Sequence, residues 1–310
     1  MHAVWSHWSK PLRGTPGNSW LDIKHYLMSF VLSHALAKQH FQETHLVTDS
    51  EGLRVIVDII GLDFDHVFVE LDTLNPFCLC WWNLGKFYAY SMQTKPFIHL
   101  DNDVFLWNPI PKNLLQAPVF AQNPEYFGES SDYYRLIELE QAIDPIKLGW
   151  LPQEWRWARH LYGNFQKSMN TGIYGGNRPD FIRYVADLAF SILQHPGNQR
   201  VLENLEEKTR IIGMLEMYLP LICMEYHSNF RKSAFHNVRI EYLFSSAEDA
   251  FQNGNNRGYT HILGGAKREL QILARLEQRV QYEYPIYYKR CIEFSESNPN
   301  YLGSLPDTNL

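Results

Sequence analysis

Two carboxylates, Asp101 and Asp103, flank Asn102 inside the run FIHLDNDVFLW. Acidic side chains two residues apart on a tight strand end can converge on one hard cation. A divalent ion held there is a Lewis acid for the negative charge that develops when a sugar-to-diphosphate bond breaks. Read by itself the triplet can also be a solvated turn. The apolar stretches on both sides favour the cation, because burying two unpaired carboxylates beside a core is costly.

A second cluster, His261-Ile262-Leu263-Gly264-Gly265-Ala266-Lys267, stands where a strand-like stretch runs into a helical one. A neutral imidazole can complete a cation's coordination, glycines let the backbone approach phosphate, and the lysine supplies a point charge. A helix start would add free N–H groups and a favourable dipole for an anion. Taken alone, His261 can be a core histidine and the glycine pair a plain turn.

The elements that must position these residues alternate. Ala3 to Trp8 reads as an opening strand and KPLRGTPGNS as a loop. Ser19 to Gln39 reads as a core-facing helix with Asn18 or Ser19 as N-cap. THLVTD, EGLRVIVDIIG and DHVFVEL continue as strand, helix, strand. Such alternation predicts an α/β fold with a parallel sheet covered by helices. Asn83 to Gln93 reads as a helix and KPFIHL as the strand that delivers Asp101, at the kind of strand end where open α/β sheets bind ligands.

From Pro111 to Ser168 the pattern turns irregular and aromatic, with Tyr126, Phe127, Tyr133, Tyr134, Trp150, Trp155, Trp157 and Tyr162. That insertion reads either as a lid or as a satellite core. Its rings, with Trp81 and Trp82, could stack on sugar faces or simply pack. Helices are expected at Arg178 to Leu193, Glu203 to His227 and Ala266 to Gln281, with VRIEYLF as a strand. The domain expected over residues 1–293 is followed by a polar tail, 294–310, expected to be poorly ordered.

A chain of 310 residues, 45% hydrophobic and 15% aromatic, can bury a substantial core. With 28 Lys+Arg against 34 Asp+Glu, its formal charge of −6 offers no global positive field for nucleic acid or an anionic membrane. The cysteines, Cys78, Cys80, Cys223 and Cys291, read as buried thiols of a reducing compartment. The start MHAVWSHWSK lacks signal-peptide character, and no run approaches the roughly 18 apolar residues of a spanning helix. The expected location is therefore the cytoplasm.

Together, in order, the two clusters resemble the GT-A-type glycosyltransferases, most closely the glycosyltransferase family 8 pattern. In that pattern an aspartate pair (D-x-D) and a later H-x-x-G-x-x-K motif bind metal and nucleotide diphosphate. The matching positions are Asp101 and Asp103, then His261, Gly264 and Lys267. The resemblance implies a Rossmann-like GT-A fold with a mixed, mostly parallel sheet. It also implies Mn2+ or Mg2+ on Asp101, Asp103 and His261, and a nucleoside-diphosphate sugar donor, with a UDP-sugar favoured and retention of anomeric configuration. By the same analogy Val4, Trp5, Ser6, Lys86 and Asn102 border the donor, and Asn170 and Gly172 in SMNTGIYGG face its sugar; read by themselves, Lys86 can equally be a solvated helix charge and the Asn170–Gly172 run an ordinary turn at a strand.

For catalysis the candidates are Asn170 and Glu216, the latter in the apolar stretch GMLEMYLP where a carboxylate needs a ligand or a charge partner. Glu225 is a rival, and a structural ion pair is an equal alternative for both glutamates. The acceptor, whether glycan, peptide or small molecule, is not specified. Two alternatives to a hexosyltransferase are a sugar-phosphate nucleotidyltransferase, for which Lys10-Pro-Leu-Arg13-Gly14 is the nearest thing to a basic loop, and a non-catalytic nucleotide-sugar-binding protein.

Overall fold

The computed structural model describes residues 1–14, 20–127, 136–143, 149–163, 166–203, 205 and 208–303. The fold is mixed α/β, the class expected, and the chain divides into two compact units of non-contiguous segments. The first unit holds Met1–Leu79, Ile98–Ile110 and Asn253–Leu310; the second holds Cys80–Phe97 and Pro111–Gln252.

In the first unit the strands β1 (His2–His7), β2 (Thr44–Thr48), β3 (His66–Val69) and β4 (Phe97–Leu100) lie in the order β3-β2-β1-β4. β1 pairs parallel with β2, and β2 with β3. Burial follows this order. β4 is buried throughout, β1 at every position except half-buried Ser6, whereas β3 is exposed at His66 and Val69, as an edge strand should be. A short strand, β5 (Val104–Leu106), follows the Asp101–Asp103 turn.

The helix of this unit that matters most for the site is Ile23–Ala37, nearly all of whose residues are buried. Its N-cap is Asp22, whose carboxylate accepts the Lys24 N–H at 2.8 Å and the Ser295 hydroxyl at 2.7 Å. The helix thus starts later than expected, and the proposed caps Asn18 and Ser19 lie outside the described residues. The first half of the stretch read as a loop after β1 falls in a short helix, Ser9–Gly14, held where the Asp49 carboxylate accepts the Ser9 N–H and hydroxyl, and the second half lies outside the described residues. The EGLRVIVDIIG stretch is helical, with Leu53–Ile59 wound as a π-helix.

In the second unit β6 (Val119–Phe127) pairs antiparallel with β7 (Gln166–Gly176) and parallel with β8 (Ile240–Tyr242). β6 falls inside the stretch read as irregular, so that reading is corrected. Its polar Gln-Asn-Pro centre hides the strand pattern, and the register slips between Ala121 and Asn123. The same stretch also carries the helices Leu136–Ala142 and Gln153–Tyr162. Trp155 is fully buried, donates to Glu140 Oε1 at 2.7 Å and meets Tyr218 edge-on, so this part of the aromatic insertion is a satellite core. Tyr133 and Tyr134 lie outside the described residues. The helix expected from Glu203 to His227 is two, Lys208–Met217 and Leu219–Ser228, divided where Pro220 opens the second.

The chain returns to the first unit with β9 (Tyr259–His261) and a 3-10 turn, Gly264–Arg268, before the helices Leu270–Glu283 and Pro285–Ser297. The helix expected to begin at Ala266 therefore begins at Leu270. The segment expected to be a flexible tail from 294 starts within the last helix. Beyond it Tyr301 is buried, packs edge-on against Phe294 and donates to Glu51 Oε1 at 3.1 Å. Residues 304–310 lie outside the described residues. Cys223 and Cys291 are buried free thiols, as expected, whereas Cys78 and Cys80 are disulfide-bonded. Among the described residues no helix is long and apolar enough to cross a membrane.

Candidate metal and diphosphate site

β5 and β9 form a two-stranded antiparallel ribbon in the register Val104↔His261, Phe105↔Thr260 and Leu106↔Tyr259. Its closing bond runs from Ile262 N–H to the Asp103 carbonyl at 3.0 Å. The carbonyl of Asp101 accepts the Val104 N–H at 3.0 Å, which makes Asp101-Asn102-Asp103 a tight turn between β4 and β5. Gly258 permits the entry into β9. Its φ is +66°, and a Cβ there would stand 2.4 Å from the Asn108 side chain. This ribbon brings His261 to the aspartates, and one ligand atom from each of Asp101, Asp103 and His261 lies within 4.8 Å of the others.

The turn is held from behind by the helix Ile23–Ala37. Ser33 donates its hydroxyl to the Asp101 carbonyl at 3.3 Å and accepts the Trp5 indole N–H at 3.0 Å. Ser29 accepts the Asn102 side-chain amide at 2.9 Å while donating to the Tyr26 carbonyl at 2.8 Å. His99, at the end of β4, shares a hydrogen bond with the Ser6 hydroxyl at 3.0 Å. These positioning residues escaped the sequence reading. Two serines at helical spacing on an otherwise apolar face are the signal that could have found them, since buried hydroxyls need partners.

Asp103 is 2% exposed, and it faces a lysine and an imidazole. Lys267 Nζ is 2.6 Å from Oδ2, and His261 Nε2 is 3.4 Å from Oδ1. Burial pushes the Asp103 carboxyl up, but Lys267 and then His261 outweigh burial and hold it well below the usual carboxylate range. The carboxylate is thus ionised. Asp101 is the more open of the pair, its side chain 19% exposed.

Lys267 sits on the 3-10 turn, with its ammonium 5.5 Å from the centre of the Trp20 ring and its carbonyl accepting the Leu21 N–H at 3.3 Å. At Gly264 φ is +49°, and a Cβ added at Gly264 or Gly265 would meet nothing within 4 Å. This is exposed backbone that a ligand can approach. Two carboxylates and an imidazole form a donor set that suits a hard or borderline divalent cation, so the residues fit a divalent metal ion.

The other candidate residues are placed as follows. Val4 and Trp5 direct their side chains into the core of the first unit, and Ser6 is half-buried. Lys10 donates to the carbonyls of Asn75 and Phe77, so it serves the local fold. In the second unit Glu216, 4% exposed, accepts from Lys86 Nζ at 2.7 Å and from the Thr171 hydroxyl and the Asn83 amide. The structure thereby joins two candidates, Lys86 and Glu216, as an ion pair. Asn170 accepts the Gly172 N–H at 3.0 Å on β7, and Glu225 pairs with Lys167 at 3.1 Å.

A profile described as a family of unknown function (DUF6734) matches residues 1–294. No curated protein matches the chain. A solved structure described as the galactosyltransferase LgtC in complex with donor and acceptor sugar analogs is similar to it, with 9% identity and a TM-score of 0.39 over 89% of this chain and 96% of that one.

Proposed function

We propose that this chain, which belongs to the family of unknown function DUF6734, is a metal-dependent glycosyltransferase acting on a nucleoside-diphosphate hexose, with a UDP-sugar favoured. The observation that carries the reading is the convergence of Asp101, Asp103 and His261 within 4.8 Å, with the Lys267 ammonium against the buried member of the trio.

In this reading Asp101, Asp103 and His261 hold the divalent ion, Mn2+ or Mg2+. The ion supplies charge neutralisation for the departing diphosphate. Lys267 is the mobile partner. Its side chain is 18% exposed, and it can exchange the Asp103 carboxylate for a phosphate oxygen once another cation neutralises Asp103. Gly264, in a conformation that suits glycine and with open space above it, lets the backbone come close to the anion. Ser29 and Ser33 fix the turn, so the carboxylates need little reorganisation to bind.

The sugar-handling roles of Asn170, Gly172 and Lys86, the catalytic roles of Asn170 and Glu216, and the donor contacts of Val4, Trp5, Ser6 and Asn102 form part of the same proposal. So does retention of configuration. The test is release of UDP from UDP-sugars by the purified chain with Mn2+, comparing wild type with Asp101→Ala and Asp103→Ala. Metal-dependent turnover that both substitutions abolish supports the proposal. Turnover indifferent to both would remove it.

A further inference from the structure

A second set of metal-ligating side chains stands at the N-terminal ends of β1, β2 and β3, away from the D-N-D turn in sequence. β2 and β3 pair in the register His45↔His66, so two imidazoles lie side by side on adjacent strands, their ring centroids 4.7 Å apart and edge to face. Glu43 comes two residues before His45, which by the period of a strand returns it to the same face. Its Oε2 is 3.4 Å from His45 Nε2. One ligand atom from each of Glu43, His45 and His66 lies within 4.8 Å of the others. His2, the first residue of β1, stacks on the His45 ring at 4.2 Å.

We infer that Glu43, His45 and His66 form a second cation site, taking a borderline divalent transition metal of the zinc class. The donor chemistry sets the choice of metal. Two imidazoles with one carboxylate are the nitrogen-rich set that suits zinc, cobalt or nickel, whereas the oxygen-richer set of Asp101, Asp103 and His261 suits harder cations. Access is open, because Glu43 and His66 are exposed while His45 is half-buried between them. An ion there clips the edge strand β3 to β2, and binding to the folded state alone raises stability by mass action. The site shares no residue with Asp101, Asp103 and His261, so each stands or falls without the other.

The experiment titrates the full chain with Co2+ in the Asp103→Ala background, where the D-N-D site is disabled. Asp101→Ala serves as a second background should the buried Asp103→Ala variant fail to fold. A saturable visible d–d band that Zn2+ displaces is expected. Adding His66→Ala, a change at an exposed position, should weaken Co2+ binding at least about tenfold. It should also remove the rise in melting temperature that Zn2+ gives the parent, while leaving the melting temperature in chelator unchanged. Absence of a saturable band in the parent, or a band and a zinc-induced melting shift that persist in His66→Ala, would overturn the inference.

Discussion

Lys267 Nζ lies 2.6 Å from Oδ2 of Asp103, so the buried aspartate of the candidate metal site is neutralised by the protein's own lysine. Under the proposed function this lysine competes with a divalent ion for Asp103 and turns to phosphate once the ion is bound. The two roles have opposite signs in a binding experiment. Lys267→Gln should tighten Mn2+ binding without nucleotide, by roughly fivefold for a partly buried pair of about 1 kcal/mol. It should also weaken UDP binding in the presence of Mn2+, and weaken UDP more than uridine. Calorimetry with Mn2+, UDP and uridine reads all three, and equal losses for UDP and uridine would assign Lys267 a purely structural role.

His261 reaches the site through the β5–β9 register, in which Val104 opposes it and Ile262 N–H binds the Asp103 carbonyl. Those are backbone contacts, which His261→Ala keeps. The substitution should lower Mn2+-dependent UDP affinity by at least about tenfold, the scale on which altered coordination shells cost metal affinity, without changing the thermal midpoint in chelator. Unchanged affinity would show that the imidazole is no ligand.

The D-N-D turn was legible because strong local signals surround it: an apolar strand before, an apolar strand after, and carboxylates between. The alternation that announced a parallel sheet was legible for the same reason, since β1, β2 and β4 are short, buried runs. His261 became a candidate only in company with Gly264 and Lys267, because its approach to Asp103 depends on a pairing between distant segments that no local pattern encodes. The clamp from Ser29 and Ser33 was missed since small polar residues on a buried helix face look like small core residues. The helix boundary at Asp22 and the break at Pro220 were visible as a capping residue and a helix-opening proline, but apolar periodicity outside both limits overrode them. β6 was lost because Gln122, Asn123 and Pro124 interrupt its alternation with residues that favour turns.

Glu216 is buried with Lys86, Thr171 and Asn83 as its partners. Removing the carboxylate takes away the negative charge 2.7 Å from the Lys86 ammonium, whose side chain is 13% exposed. Glu216→Ala should therefore cost about 3 kcal/mol, read as a lowered denaturant midpoint. The Glu216→Ala/Lys86→Met double variant should recover part of that loss, because the largely buried positive charge goes too. A catalytic contribution would show instead as lost turnover in Glu216→Gln, which keeps the shape and most of the stability. If Glu216→Ala is as stable as wild type, the ion pair contributes nothing measurable.

His34 offers a test of the fold by pH. It lies on the helix Ile23–Ala37, 2% exposed, tilted against Phe64 at 4.2 Å and edge-on to Trp5 at 5.7 Å. Burial, against a smaller opposing pull from Asp63, lowers its imidazole from 6.5 to about 4. Between those values the unfolded chain binds a proton that the folded chain refuses, so stability falls as pH falls. Above 6.5 both states are neutral and the effect vanishes; below about 4 both are protonated and the loss is complete. The full shift corresponds to about 3 kcal/mol. His34→Leu replaces the imidazole with an apolar group that cannot take up a proton. The variant's stability should therefore decline less than wild type's on going from pH 7 to pH 4, by up to about 3 kcal/mol in urea denaturation. Carboxylates that lose stabilising partners in acid contribute equally to both proteins and cancel in the comparison. Parallel pH profiles for wild type and variant would show that His34 is not held neutral by its packing.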